Sequence, residues 1–454
     1  MRKTLYILCL LLLCACMHAQ VRVRTYTENV RTLRVVRACD VNEAGQVRAE
    51  RPFLVLTDGV VDGSEPENTL HVSFDEMSHD VHMYSYTVQM LNVGMSTASS
   101  LNDGMMQLND GLLSSEYLKG FPTADITDYA HSVNTTREYT HYRFLFPNED
   151  MCLTKSGAYR LTVYEDGDPD KRVAEVDFCV VEPLVQMETK VRANTDIELN
   201  GRYQQIDIDV NVGRQHSSVS YQQPSEFKLI VTQNNRADNS VLLTQPTFVE
   251  PHRLRYINNK ALIFEGGNEY HHFDAFSCFY SGTGIDRVFH ENGDYQVVLF
   301  PDHVTHGQYI HEFDSDGRFL VNAERTSDSD TEAEYMWVHW TLPMEKPFFD
   351  GALYVGGDFF NNQLSLRNRM QYDGDAKCYW LTALVKQGGY DYQYVFVPKE
   401  SHQPSAVSYQ KTTSQRVDGS YWQTENEYTV YVFWRPFGAR YDRLVGIQTV
   451  QSIP

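Results

Sequence analysis

The sequence predicts a mostly β chain: tandem immunoglobulin-like or early-set β-sandwiches behind a cleaved signal peptide. Three observations point there. Apolar and polar residues alternate with period two in run after run, and helical periodicity is scarce. Turn pairs such as Asp58-Gly59, Asp62-Gly63, Pro147-Asn148, Ser156-Gly157 and Asp166-Gly167 separate the runs at roughly ten-residue spacing, as in sandwiches rather than α/β layers. The chain of 454 residues carries 29 Tyr and 23 Phe, residues that favour strands.

The elements follow in order. Tyr84-Ser-Tyr86-Thr-Val88-Gln-Met90, Tyr139 to Phe146 and Tyr159 to Tyr164 read as half-buried strands of a first unit, closed by Cys179 to Pro183. Met105 to Leu118 is the one helical candidate. Asn109 and Gly111 weaken it, and a loop with a short helix fits better. Gln204 to Val212, Glu226 to Thr232 and Tyr295 to Phe300 are the next strands. Tyr309 to Phe313 and Arg318 to Val321 suggest a hairpin about an Asp316-Gly317 turn, and the acidic stretch Glu324 to Glu334 reads as a loop. From Pro347 the pattern restarts with Gly351 to Phe359, Tyr379 to Val385, Tyr390 to Phe396 and Asn426 to Phe433. The expected organisation is a signal peptide over 1–19, an N-terminal β-sandwich over 20–185, a β-rich middle domain over 186–345 and an early-set-like sandwich over 346–454.

The leader has Arg2 and Lys3 before an apolar run from Leu5 to Leu13, too short to span a bilayer as a stable helix. Two cleavages are open: after Ala19, giving a soluble product, or at a lipobox-like Leu13-Cys14-Ala15-Cys16, with Cys16 acylated. Export permits disulfides. Cys39, Cys152, Cys179, Cys278 and Cys378 follow the leader. Cys152 with Cys179 is the one pair near enough to suggest a bridge, with buried free thiols as the alternative.

The formal charge is −21, or −23 without Arg2 and Lys3. Such a chain repels a phosphate backbone, which argues against a nucleic-acid partner. No GxSxG elbow, HExxH pair, Walker loop or dinucleotide fingerprint is present. His303, His306 and His311, like His271-His272, read as polar surface histidines rather than metal ligands. Asp314-Ser-Asp316-Gly317 lacks the later ligands of a calcium loop and reads as a turn. Tyr390, Tyr392 and Tyr394 share one strand face; such a stripe is core or interface packing, or a sugar-stacking face. The sequence therefore singles out no catalytic, cofactor-binding or metal-binding residue, and implies no cofactor.

An ordered set of segments resembles one family. It includes Leu70-His-Val-Ser-Phe74-Asp75, Tyr117-Leu-Lys-Gly120-Phe121 and His131-Ser132-Val-Asn134-Thr135, then Phe146-Pro147-Asn148 and Thr232-Gln233-Asn234-Asn235-Arg236. Glu265-Gly-Gly267-Asn268-Glu269-Tyr270, Leu384 to Tyr392, Thr424-Glu425-Asn426-Glu-Tyr428 and Arg440 to Gly446 continue it. The set is similar to the Plug protein family of the type IX secretion system. The resemblance implies a non-enzymatic, periplasmic β protein at the outer membrane. Its partner would be the outer-membrane translocon barrel, whose idle pore it keeps closed, with no small-molecule substrate. Tyr390, Tyr392, Trp434 and Arg440 are possible anchors for that contact. A second reading is an envelope carbohydrate-binding β-sandwich. Gly356 to Asn362 resembles the start of such a module, but Gln363 and Leu364 stand where a Trp often follows.

Overall fold

The computed structural model describes residues 22–40, 52–94, 105–212, 219, 221–305, 307–399 and 412–452. Among them are 31 strands, six short 3-10 turns and one four-residue α-helix, Ser329–Glu332. The mostly β, tandem-sandwich expectation holds. The stretch read as a leader, with both expected cleavage sites and Cys16, lies outside the described residues.

Three apolar cores organise the strands. In the first unit, a sheet containing Arg22–Thr25, Arg172–Val181, Gly157–Glu165 and Tyr84–Val93 faces a sheet of Val30–Arg37, Leu70–Glu76, Thr140–Phe146 and Asp128–His131. Phe74, Tyr86, Tyr142, Tyr159 and Phe178 fill the space between them. Phe74 and Tyr142 stack at 5.3 Å. In the second unit, Gln186–Arg192, Tyr203–Asn211, Arg253–Tyr256 and Phe248–Glu250 face Ser240–Leu243, Phe227–Gln233, Glu427–Trp434 and Arg443–Gln451. Period two puts Ile206, Ile208 and Val210 against Leu229, Val231, Val430 and Val432. In the third unit, Tyr335–Pro343 pairs with Cys378–Lys386 and, in parallel, with Asp294–Leu299. Gly388–Pro398 pairs with His271–Ala275, Phe319–Val321 and Gly351–Gly356. Trp340, Tyr390 and Tyr394 lie in this core, each 1% exposed or less.

Strand pairing departs from the expected break at 345/346. The chain leaves the second unit after Glu265, builds the third over 271–421, then returns. Glu427–Trp434 pairs residue by residue with Phe227–Gln233, from Trp434 opposite Phe227 to Tyr428 opposite Gln233. Alternation marks Asn426 to Phe433 as a strand, but a distant partner leaves no local trace.

Two local expectations also change. The turn at Asp316 and Gly317 forms, with φ of 54° and 81°, but no hairpin closes on it. Phe319–Val321 pairs with Gly388–Pro398 instead. Ile310 and Phe313 are 72% and 91% exposed, so the preceding segment has no face to bury as a strand. The acidic Glu324 to Glu334 stretch is not wholly a surface loop. Its helical turn buries Ser329, Asp330 and Thr331.

Candidate functional site

The most concentrated chemistry lies where the first and third units meet. Leu70–Glu76 turns Val72 and Phe74 into the first core and leaves Ser73 and Asp75 on the other face. His141 lies opposite Asp75, and Arg34 opposite Ser73, on the adjoining strands. Such a polar face ordinarily meets water. Here the third unit covers it, bringing Lys386, Asp330, Tyr335 and Glu334. Arg34, Asp75, His141, Asp330 and Lys386 are all at most 4% exposed.

Each charge has a partner. Lys386 Nζ donates to Asp75 Oδ2 and to the Asp330 carbonyl, both at 2.7 Å. Tyr335 donates to Asp75 Oδ2 at 2.8 Å, and His141 Nδ1 lies 2.6 Å from Asp75 Oδ1. Arg34 pairs with Asp330. Lys386 Nζ also sits 4.2 Å from the Tyr139 ring centroid. Burial alone would raise the Asp75 and Asp330 carboxyls. The cations beside them, Lys386 for Asp75 and Arg34 for Asp330, outweigh it and hold both below the usual carboxylate range. Burial pulls the Lys386 ammonium down, and its two acids only partly restore it. Around the cluster, the Glu334 carboxylate accepts from the backbone of Thr136 and Arg137 at 2.5 and 3.2 Å. Arg137 forks onto Asp294 at 2.8 and 2.7 Å.

The third and second units meet through a second polar seam. Arg318 donates to Glu427 at 2.5 Å, both deeply buried. Beside it, within the third unit, His272 Nδ1 lies 2.6 Å from Asp391, and its Nε2 lies 2.9 Å from Asp274. The hydrogen bond to Asp391 outweighs partial burial and lifts the imidazole to about 9. His271 sits between Asp302 at 3.3 Å and Asp418 at 3.0 Å. The first and second units meet differently, through one apolar layer. Leu91, Val93, Cys179 and Val181 pack with Ile230, Tyr431, Phe433 and Leu444. Asp442 borders that layer, accepting from Val93 N at 2.8 Å and Arg435 Nε at 2.9 Å.

Residues 59–182 match the family described as the type 9 secretion system plug protein, first domain. The chain belongs to the type IX secretion plug family. A crystal structure at 2.30 Å resolution of a hypothetical protein from Parabacteroides merdae ATCC 43184 is similar along the whole length. The identity is 34%, with 96% of this chain and 100% of that one covered, and the TM-score is 0.81. No curated protein matches.

Several residues singled out in this plug-family sequence lie elsewhere than expected. Tyr390, Tyr392 and Trp434 are buried, at 1%, 3% and 7% exposure, and so offer no contact surface. Tyr392 and Tyr394 both donate to Asp302, at 2.7 and 2.6 Å, inside the third unit. The stripe is core packing, which removes the proposed sugar-stacking face. Arg440 is exposed but pairs with Glu116. His271 and His272 are not idle surface histidines, because each bridges two carboxylates. His303 and His311 are exposed, and among the described residues no group of His, Cys, Asp and Glu is placed to hold a metal. Cys152 and Cys179 are both buried and form no bridge with each other. The sequence pattern does not bring the members of the ionic cluster together. Its one available signal was the charged residues set into apolar strands, Arg34 among Val30–Arg37 and Asp75 among Leu70–Glu76.

Proposed function

We propose that this chain is a non-enzymatic periplasmic plug: it seats on the periplasmic opening of the type IX outer-membrane translocon barrel and keeps the idle pore closed. Its family ties it to type IX secretion. The observation that supports blocking in particular is the way the units are joined. A stopper must hold its shape under load, and shape is kept here by buried partners that cannot slide. The Lys386, Asp75, Arg34 and Asp330 cluster fixes the third unit on the first in one register, since any shift leaves charges buried without partners. The apolar layer joins the second unit to the first as tightly as a protein interior. With the tyrosine stripe buried, the exposed Phe279, Phe313 and Phe349 of the third unit are the anchors this reading uses for the barrel. The leader directs export, with the mature chain free in the periplasm or held through Cys16.

Affinity purification of the chain from outer membranes tests this. The barrel is expected to co-purify when secretion is idle, and deleting the chain should raise leakage of small molecules across the outer membrane. Repeated purification without the barrel, with leakage unchanged, overturns the reading.

A further inference from the structure

Two arginines reach across the seam between the first and third units in opposite directions. Arg31, near the start of Val30–Arg37, brings its Nη1 to 3.5 Å from the Leu384 carbonyl. Arg367 reaches back to the first unit. Its Nη1 donates to Thr25 Oγ1 at 3.1 Å and to the Val30 carbonyl at 3.4 Å, and its Nη2 to the Thr27 carbonyl. Asn368 sets the turn that carries Arg367. Its Oδ1 accepts from Ser365 N at 2.9 Å, and its Nδ2 donates to the Val355 and Gln363 carbonyls, both at 2.8 Å. The two arginines line the same pair of cavities, of about 200 and about 50 Å³, and share that wall with Phe360 and Leu384.

What sets these two apart is the acid they lack. Arg24, Arg34, Arg160, Arg236 and Arg318 are each paired with a carboxylate. The partners of Arg31 and Arg367 among the described residues are all uncharged oxygens. Asp75 stands opposite Arg31 in the strand pair, but Lys386, Tyr335 and His141 already hold it. Glu28 and Arg369 also line the larger cavity, and both are exposed. Burial pulls both guanidiniums below the usual arginine range, and the charge of Arg31 pushes Arg367 further down. The unused donors are Nε and Nη2 of Arg31 and Nε of Arg367. None of them is sealed in protein, so they reach solvent. Beside them is an apolar surface. Trp337 lies opposite Leu384 in the strand pair, and Trp380 is four residues along on the same face, away from the core. Trp380 is 39% exposed.

We propose that this seam binds a carboxylate with an apolar group attached: the carboxylate takes the free donors of Arg31 beside Arg367, and the apolar group lies against Trp380. A guanidinium matches carboxylate and phosphate alike. A single charge suits this place better. The larger cavity sets three arginines and Glu28 within a chain of formal charge −21, so a doubly charged phosphate meets more repulsion than a carboxylate does. The space holds several waters at about 30 Å³ each, or a carboxylate and one ring in their place. Two sources carry that chemistry, a free organic acid and the carboxyl end of a polypeptide. Because Arg31 belongs to the first unit and Arg367 to the third, an occupant ties the same joint as the Lys386 cluster. The site does not depend on plugging, since binding is measured on the isolated chain.

Calorimetry and saturation-transfer NMR on the purified chain test the site. N-acetylphenylalanine is the first probe, its amide supplies the same ring without the charge, and inorganic phosphate is the control. The acid is expected to bind about tenfold more tightly than the amide, the worth of one charge-assisted hydrogen bond, and more tightly than phosphate. Arg31→Gln keeps much of the side chain and removes the charge. It should weaken acid binding about tenfold and leave amide binding as it was. The unfolding midpoint should stay or rise, because a half-buried cation without an acid is gone. Trp380→Ala should weaken acid and amide alike. A pentapeptide ending in phenylalanine, with its carboxyl end free or amidated, separates the two sources. Binding of the free-ended peptide assigns the site to a polypeptide, and binding of the acid without the peptide assigns it to small organic acids. The proposal is overturned if neither acid nor free-ended peptide binds, if the amide binds as tightly as the acid, if Arg31→Gln binds the acid undiminished, or if phosphate binds more tightly than the acid.

Discussion

The first unit is held to its two neighbours by opposite means. Against the second it presents Leu91, Val93, Cys179 and Val181, an apolar layer continuous with the cores on either side. Against the third it presents Arg34, Asp75 and His141, charges that Asp330 and Lys386 complete. The apolar joint is non-directional: its strength comes from the area buried and the close packing of many contacts, not from any one pairing. The ionic joint is directional. Taking each ion from water costs several kcal/mol, recovered only when every partner is in place. The difference teaches that cohesion and register come from different joints of the same molecule.

The comparison can be broken most directly at Lys386. Lys386→Met leaves Asp75 and Asp330 buried with too few cations, and should cost about 4 kcal/mol. The loss should show as a separate early unfolding step of the third unit in urea. Adding Asp75→Leu removes the stranded charge and should recover much of the loss. A single cooperative transition with an unshifted midpoint would mean that the ionic joint sets nothing. At the apolar joint, Leu444→Ala should cost about 3 kcal/mol through lost burial and the cavity left behind. Because that layer is shared, the first and second units should weaken together, without a new step; a split transition there would erase the contrast between the joints. The smallest effect comes from the third unit's partly exposed pair of His272 with Asp391. The folded chain keeps that proton up to about 9, whereas an unfolded histidine releases it near 6.5. The pair's stabilisation is thus complete below about 6.5 and is lost as the pH rises through 9. The thermal midpoint should fall over that window, and His272→Gln should flatten the fall. A fall of equal steepness in the variant would assign it to other groups.

The strands were legible because alternation is local. Tyr84 to Met90 lies within Tyr84–Val93, Tyr379 to Val385 within Cys378–Lys386, and Tyr390 to Phe396 within Gly388–Pro398. What alternation cannot give is the environment of the second face. In Leu70–Glu76 the polar face looks made for solvent, yet Asp75 is 1% exposed because residues some 250 to 310 positions later cover it. Asp330 sits in a run whose composition says loop, yet it is buried where Arg34 and Lys386 meet it. Tyr390, Tyr392 and Tyr394 show the reverse: an aromatic stripe offers no sign of whether it meets a partner or its own core. A polar cavity between the second and third units was out of reach for the same reason. Its walls come from segments near 233, 265, 393, 413 and 426, and only their convergence gives them a shared role.

The return of Glu427–Trp434 and Arg443–Gln451 to the second unit sets an order of events during biogenesis. A chain that emerges amino end first can close its first sandwich early, and its third can assemble as a long excursion. The second must wait with Phe227–Gln233 unclosed until Glu427–Trp434 and Arg443–Gln451 have arrived. A premature stop near residue 420 would therefore spare the excursion and ruin the middle. These two strands thus act as a final latch, and only chains that include them leave that edge covered.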